Sequence, residues 1–236
     1  MPLVTTVVQR VNVALRPLNL RLQQQPQWDR HFRRWVRQGG QLSDPNEIGD
    51  ADWRTDLLDE GLEYHYLRLL SPKAVIVELG PGSGRLTRHL IGRCKELIAV
   101  DSSPYVCKWI RKYLVGKGSF QVHQIDGPRL PMLSDATVDA VVAHGVFEHL
   151  DLDETYWFLT EFARVLRRGG FCSFNFDTVV TLDGIAALRE YGGPGQRSVF
   201  RLHHPESIRC VALAAGFQAV DIKETPTRIA FADLTR

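Results

Sequence analysis

Val75-Ile-Val-Glu-Leu-Gly-Pro-Gly-Ser-Gly-Arg85 decides how this chain is read. Ala74 to Val77 form an apolar run suited to a parallel strand buried on both faces, and after the glycines Arg85-Leu-Thr-Arg-His-Leu-Ile91 opens a helix. Glycines at 80, 82 and 84 let the backbone bend sharply and approach a ligand that a Cβ would hold away. The turn also sorts cofactors. A dinucleotide fingerprint counted from Gly80 and Gly82 asks for glycine where Arg85 stands, and a phosphate-binding Walker loop would continue Gly84 with Lys and Ser or Thr rather than Arg85 and Leu86. Glu78, at the strand end, would repel a pyrophosphate but suits a ligand carrying an ammonium group.

Further strands repeat the arrangement. Leu97-Ile-Ala-Val-Asp101 ends in an acid about 20 residues beyond the glycines, the spacing of the ribose-binding acid in Rossmann-like sites, and a carboxylate there can accept both ribose hydroxyls. Phe120-Gln-Val-His-Gln-Ile-Asp126 is a third strand, followed by Gly127, and Val138-Asp-Ala-Val-Val-Ala-His144 a fourth. Phe162-Ala-Arg-Val-Leu-Arg-Arg-Gly-Gly170 is expected to end a helix at its glycine pair, with Phe171 to Phe176 as the fifth strand. Ile208 to Ala215 reads as the closing helix, Val220 to Ile222 as the sixth strand and Ile229 to Leu234 as a seventh, antiparallel one.

With Glu78 ahead of Gly80, Gly82 and Gly84, the segment resembles the class I S-adenosylmethionine-dependent methyltransferases, whose first motif has the form acid-x-G-x-G-x-G. The resemblance extends over roughly residues 70 to 235 and includes the stretch Leu130-Pro-Met-Leu-Ser-Asp135. It implies an α/β fold: a Rossmann-like, seven-stranded, mostly parallel sheet with helices on both faces and an antiparallel last strand. It also implies S-adenosylmethionine as cofactor, its amino-acid end held by Glu78 and the backbone of Gly80, Gly82 and Gly84. Asp101 and Ser102 would then meet the ribose, Asp126 and Gly127 the adenine, and His144 would border the cofactor. The nearer resemblance is to small-molecule O-methyltransferases, and more narrowly to those acting on sugars and methylmannose polysaccharides.

Methyl transfer from a sulfonium is an in-line displacement in which alignment supplies much of the catalysis. A hydroxyl acceptor must also shed a proton, so a positioned base helps, whereas a neutral amine needs less. Ala143-His144-Gly-Val-Phe-Glu148-His149-Leu150-Asp151 lies where ligands bind in open α/β sheets, outside the carboxyl ends of the strands. If residues 145 to 149 turn helically, His144 and Glu148 share a face with His149 alongside, and an imidazole oriented by a carboxylate is a plausible base. His144, His149 and Glu148 are therefore the catalytic candidates, with the choice between the two histidines open. The same three residues could also coordinate a divalent ion such as Mg²⁺.

The stretch from Thr178 to Leu202 is longer than an ordinary connection and is expected to form a lid, with a turn at Tyr191-Gly-Gly-Pro-Gly195 and with Gln196, Arg197 and Arg201 suited to hydroxyls or an anionic group. His203 or His204 could face the acceptor or serve the start of the next helix. Residues 1 to 70 read as a helical appendage ahead of the cofactor domain, 71 to 236. Val4, Val7, Val8, Val11 and Leu15 make an apolar stripe that could dock on the same chain or on a second copy, giving a homodimer, and Asp52 to Leu70 resumes a helical pattern. Tyr64, His65 and Tyr66 either close over the cofactor or pack a helix end on the sheet.

The chain has 236 residues, 44% of them hydrophobic, enough for one substantial core. A formal net charge of +2, with basic residues spread among acids, argues against nucleic acid as partner. Arg33, Arg34, Arg37, Arg167 and Arg168 read as solvated faces. Cys94, Cys107, Cys172 and Cys210 are scattered like reduced thiols of a cytoplasmic protein, and no integral membrane span or signal-peptide core is evident. The expected activity is O-methylation of a saccharide or other polyhydroxylated small molecule. N-methylation, protein methylation and a non-catalytic, methyltransferase-like assembly role are the alternatives.

Overall fold

The computed structural model describes residues 29, 30, 33, 34, 37, 61–191 and 200–236. Strands β1 (Val75–Leu79), β2 (Glu96–Asp101), β3 (Phe120–Gln124), β4 (Val138–Ala143), β5 (Leu166–Thr178), β6 (Leu202–His203), β7 (Ala219–Glu224) and β8 (Ile229–Thr235) form one sheet. Its order is β3-β2-β1-β4-β5-β8-β7, with β6 pairing β5 off this path. All neighbours along it pair in parallel except β8, which is antiparallel to both β5 and β7. The expected α/β sheet is thus present, with the two-residue β6 as an addition inside the stretch assigned to the lid.

Helices α1 (Thr87–Leu90), α2 (Pro104–Leu114), α3 (Leu152–Val165), α4 (Leu182–Tyr191) and α5 (Pro205–Ala214) complete the described architecture. Local chemistry starts each of the longer ones. The Ser103 hydroxyl accepts from Val106 N at 3.1 Å with Pro104 at the first helical position of α2. Asp151 and Glu154 form a capping box at α3, and the His204 ring accepts from Glu206 N at α5. His204 is therefore a helix cap, and His203 is tied through Nε2 to the Leu150 carbonyl at 3.0 Å, so neither is aimed at an acceptor.

Strand periodicity divides the core in two. Val77, Leu79, Ile98, Val100, Val141, Ala143, Phe174 and Phe176 pack with Leu159, Phe162 and Ile208 of α3 and α5. Ile76, Leu97, Ala99, Ala140, Val142, Ile229 and Phe231 pack with Val106, Ile110 and Leu114 of α2 and with Tyr66. The second face is the one that carries the polar site, because the same alternation puts Glu78, Asp101, Asn175 and Asp177 on it.

Two boundaries differ from expectation. α3 ends at Val165 and β5 begins at once, so Gly169 and Gly170 lie within a strand rather than at a helix end. The β4–β5 register shifts between Val138 and Ala140, and this irregularity absorbs the glycine pair. The third strand stops at Gln124, which leaves Asp126 on the loop beyond it.

Before β1 the chain makes a π-turn, Leu62–Tyr66, followed by a 3₁₀ turn, Leu67–Leu69. It buries Leu62, His65 and Tyr66 against the sheet. Asp233 of β8 fastens it there: one carboxylate oxygen takes His65 Nδ1 at 2.9 Å and Arg68 at 2.7 Å, the other the Ser173 hydroxyl at 2.6 Å. The His65 ring also stacks on Phe231 at 4.2 Å. Asp233→Ala would leave the buried His65 and Ser173 donors without this acceptor and should cost about 2 kcal/mol. Denaturant unfolding checks this, as a lowered midpoint at unchanged slope. Of the helical pattern expected from Asp52 to Leu70, residues 61–70 are described and form these two turns, while residues 52–60 and the apolar stripe from Val4 to Leu15, with the dimer it could mediate, lie outside the described residues. No helix among the described residues is long and apolar enough to cross a membrane, and all four cysteines are free thiols.

Candidate active site

The parallel strands β1, β2, β4 and β5 end at one edge, and register sets what meets there. Leu79 lies beside Val100 and Ala143, and Ala143 beside Phe174. Gly80, Asp101, His144 and Asn175 therefore follow at one level, with Glu78 a pleat below on the same face. Gly80 donates its N–H to the Val100 carbonyl at 2.8 Å and takes φ +68°; a Cβ there would meet Val146 Cγ2 at 2.5 Å. Gly82, at φ +53°, has nothing within 4 Å of where its Cβ would be, so the turn faces open space at that point. Trp109 of α2 braces the turn by donating to the Ser83 carbonyl.

Glu78 is 1% exposed, and its Oε2 has no hydrogen-bond partner. Burial pushes its carboxyl up to about 8; Thr87 pulls the other way and the charge of Asp101 adds to the rise. A buried carboxylate oxygen left without a donor is expensive and fits a cationic guest such as the ammonium of an amino-acid group. Asp101 accepts from Ser103 N at 2.8 Å, and its carboxyl stands at about 7, raised by burial and by Asp29 against the backbone N–H groups of Ser103, Gly82 and Ser102. Asp126 is exposed and Gly127 half-buried, on the loop after β3.

Beyond the end of β4, Gly145 takes φ +71° and donates to Asn175 Oδ1 at 2.8 Å. Only Phe147–His149 turn after it, as one 3₁₀ turn, so His144 and Glu148 do not share a helical face as the spacing had implied. His144 instead meets Tyr66: the Tyr66 hydroxyl lies 3.2 Å from both His144 Nδ1 and the Ala143 carbonyl. A carbonyl can only accept, so the Tyr66 O–H donates to Ala143 and accepts from His144 Nδ1–H, which leaves the ring's lone pair on Nε2. Loss of water around the ring, with Arg85 nearby, lowers the His144 pKa to about 3. Tyr66 is thus neither a cofactor lid nor a mere packing ring, but the group that sets this tautomer.

Glu148 is 4% exposed, its Oε2 has no hydrogen-bond partner, and its Oε1 lies 3.6 Å from where a Gly145 Cβ would be. Burial first, then the charge of Asp177, pushes its carboxyl up to about 8, against a smaller pull from Arg228. Asp177 itself is buried and paired with Arg228 at 3.0 Å. The far end of the expected lid returns onto this turn: Arg201 N donates to the Glu148 carbonyl at 2.6 Å, its side chain pairs with Asp151, and Phe200 lies 4.9 Å from the His149 ring. Gln196 and Arg197 lie outside the described residues. Among the described residues no group of three His, Cys, Asp or Glu side chains is placed to hold a metal ion. The suggested Mg²⁺ site of His144, Glu148 and His149 is therefore corrected: the 3₁₀ turn commits His144 to Tyr66 and packs His149 on Phe200, so the three do not converge.

Asn175 and Asp177 fall near the end of β5, on the face that carries Glu78 and Asp101; Asp29, Asp233 and Arg228 carry no local signal, since each is held by a long-range contact.

Residues 77–174 match the family described as a methyltransferase domain. A ribosomal RNA small subunit methyltransferase A from Synechococcus sp. (strain JA-2-3B'a(2-13)) is 33% identical over 57 residues, 24% of this chain, and the match spans 20% of that protein's length. A S-adenosylmethionine-dependent methyltransferase from Aquifex aeolicus superposes with a TM-score of 0.57 at 16% identity, covering 81% of this chain and 97% of that one. The DhpI complex with S-adenosylhomocysteine gives 0.58 at 20% identity, over 80% and 90%. The fold is that of the class I S-adenosylmethionine-dependent methyltransferases. Together with the matched domain it supports a methyltransferase with S-adenosylmethionine as donor.

Proposed function

We propose that this chain transfers the methyl group of S-adenosylmethionine to a hydroxyl of a saccharide or other polyhydroxylated small molecule. The observation that carries the acceptor reading is Glu148: a buried carboxyl with a partnerless oxygen, poised near pH 8 at the mouth of β4 and β5. Glu78 and the glycine turn would hold the amino-acid end of the donor, Asp101 and Ser102 the ribose, and Asp126 and Gly127 the adenine. The acceptor oxygen attacks the methyl carbon, the carbon–sulfur bond breaks to leave a neutral thioether, and the hydroxyl proton passes to Glu148. His144 Nε2, neutral throughout the working pH range, accepts a hydrogen bond from a second, non-reacting hydroxyl of the acceptor and orients it, and His149 backs Glu148 through the turn. The residues up to 70 and those from 178 to 202 act in this reading as cap and lid.

A second reading has its own support. Glu148 and Asp177 together would also receive an amine, since Arg228 offsets only one of their charges. Labelled S-adenosylmethionine offered with parallel panels of polyols, sugars and amines decides between the two: transfer to hydroxyls, lost in Asp101→Ala together with S-adenosylhomocysteine binding, is the expected result. Transfer confined to amines would replace the hydroxyl reading.

A further inference from the structure

We infer that Asp29, from the segment ahead of the fold, is a positioning residue of the ribose corner of the cofactor site and sets the pH at which Asp101 can take up the ribose. The inference rests on the cofactor reading above and goes beyond it, because nothing in the motifs of the fold reaches back to residue 29.

The Ser103 hydroxyl donates to Asp29 Oδ1, and the same hydroxyl accepts from Val106 N, so Asp29 is docked on the first turn of α2 next to the end of β2. Four residues later in sequence, the Arg33 guanidinium lies over the Tyr105 ring at 4.9 Å, a second attachment to the same helix. Asp101 is two residues from Ser103 and accepts its N–H, which brings the two carboxylates into one corner.

A negative charge held in such a corner opposes the ionised form of Asp101. Among the described residues, Glu78 on β1 and the Cys107 thiol on α2 also face Asp101, while Arg111 of α2 acts on Cys107 and donates to the Val122 carbonyl. Asp101 stands at about 7, with burial as the larger cause and Asp29 as the charge that adds to it. The ionised carboxylate accepts from both ribose hydroxyls through charge-assisted bonds stronger than those of the neutral acid, so binding at this corner strengthens as pH rises through that value. Asp29 moves the threshold upward, and it does so only while the segment is docked.

The test uses 5′-methylthioadenosine, which carries adenine and ribose but no ammonium group, so that Glu78 does not enter. Its affinity for the full chain, titrated from pH 5.5 to 9, should rise through an inflection near 7. Asp29→Asn keeps an oxygen for Ser103 and removes the charge; the inflection should move to lower pH by roughly half a unit or more, with the limiting affinity at high pH retained. Arg33→Ala, which releases the second attachment, should move it in the same direction. An inflection that stays in place in Asp29→Asn while Asp101→Ala loses binding overturns the role of Asp29 and leaves the ribose corner standing. Binding to Asp101→Ala as tight as to the unaltered chain overturns the cofactor reading itself.

Discussion

Glu78→Gln is expected to weaken S-adenosylhomocysteine binding by roughly 10- to 100-fold in isothermal titration, while 5′-methylthioadenosine binds as before. The reason is the state of Glu78 without ligand. Its carboxyl is 1% exposed, one oxygen has no donor, and the proton stays on up to about pH 8. An incoming ammonium supplies the missing donors and an opposite charge where water is excluded, a charge-assisted hydrogen bond of the strong kind. Glutamine keeps the shape and loses the charge. The sign of the coupled proton follows: below pH 8 the free protein carries the proton, the bound state favours the carboxylate, and binding at pH 7 therefore releases it. Titration in buffers of different ionisation enthalpy should register that release in the unaltered chain and lose the Glu78 share of it in Glu78→Gln. Equal affinity in both proteins would remove Glu78 from the site.

The placement of Glu78 and Asp101 at one edge of the sheet was legible in the sequence because strand alternation is local. Glu78 and Asp101 are each the last inward position of a short apolar strand, and a period of two puts both on the face that carries Ile76, Leu97 and Ala99. The residues after β4 were legible only in composition. His144, Glu148 and His149 were placed at the right strand end, but their mutual geometry depended on whether residues 145 to 149 continue as a helix. Gly145 at φ +71° breaks that continuation, and its bond to Asn175 is made by a residue 30 positions away. Tyr66 and His144 meet across 78 positions and His65 and Asp233 across 168, separations at which no periodicity carries a signal. The same holds for Ser103 and Asp29, 74 apart. The glycine pair at 169 and 170 misled for a related reason: glycines end helices, but they also sit where a strand is irregular, and only the β4–β5 register tells the two apart.

Glu148→Gln should lower kcat about 10²- to 10⁴-fold on a hydroxyl acceptor at unchanged S-adenosylhomocysteine affinity, the span expected when a general base is removed. In the unaltered chain Glu148 holds its proton below about pH 8, because burial and then Asp177 oppose the charged form, so the active fraction and kcat should climb as pH rises through that value. The climb should vanish in Glu148→Gln. It should shift to lower pH in Asp177→Asn, which takes away the neighbouring negative charge and leaves the Arg228 guanidinium without its ion-pair partner. His144→Ala has a different signature. With its pKa near 3 the imidazole stays neutral across the whole profile, so its loss should reduce kcat without moving the inflection, and Tyr66→Phe, which frees the tautomer, should reproduce part of that loss. A profile whose inflection follows His144 instead, or a Glu148→Gln protein that turns over normally, would assign the proton to the imidazole and leave Glu148 as a wall of the pocket. A hydroxyl needs its proton removed as the new bond forms, and Glu148, beyond the end of β4, combines a partnerless oxygen with a pKa close to working pH.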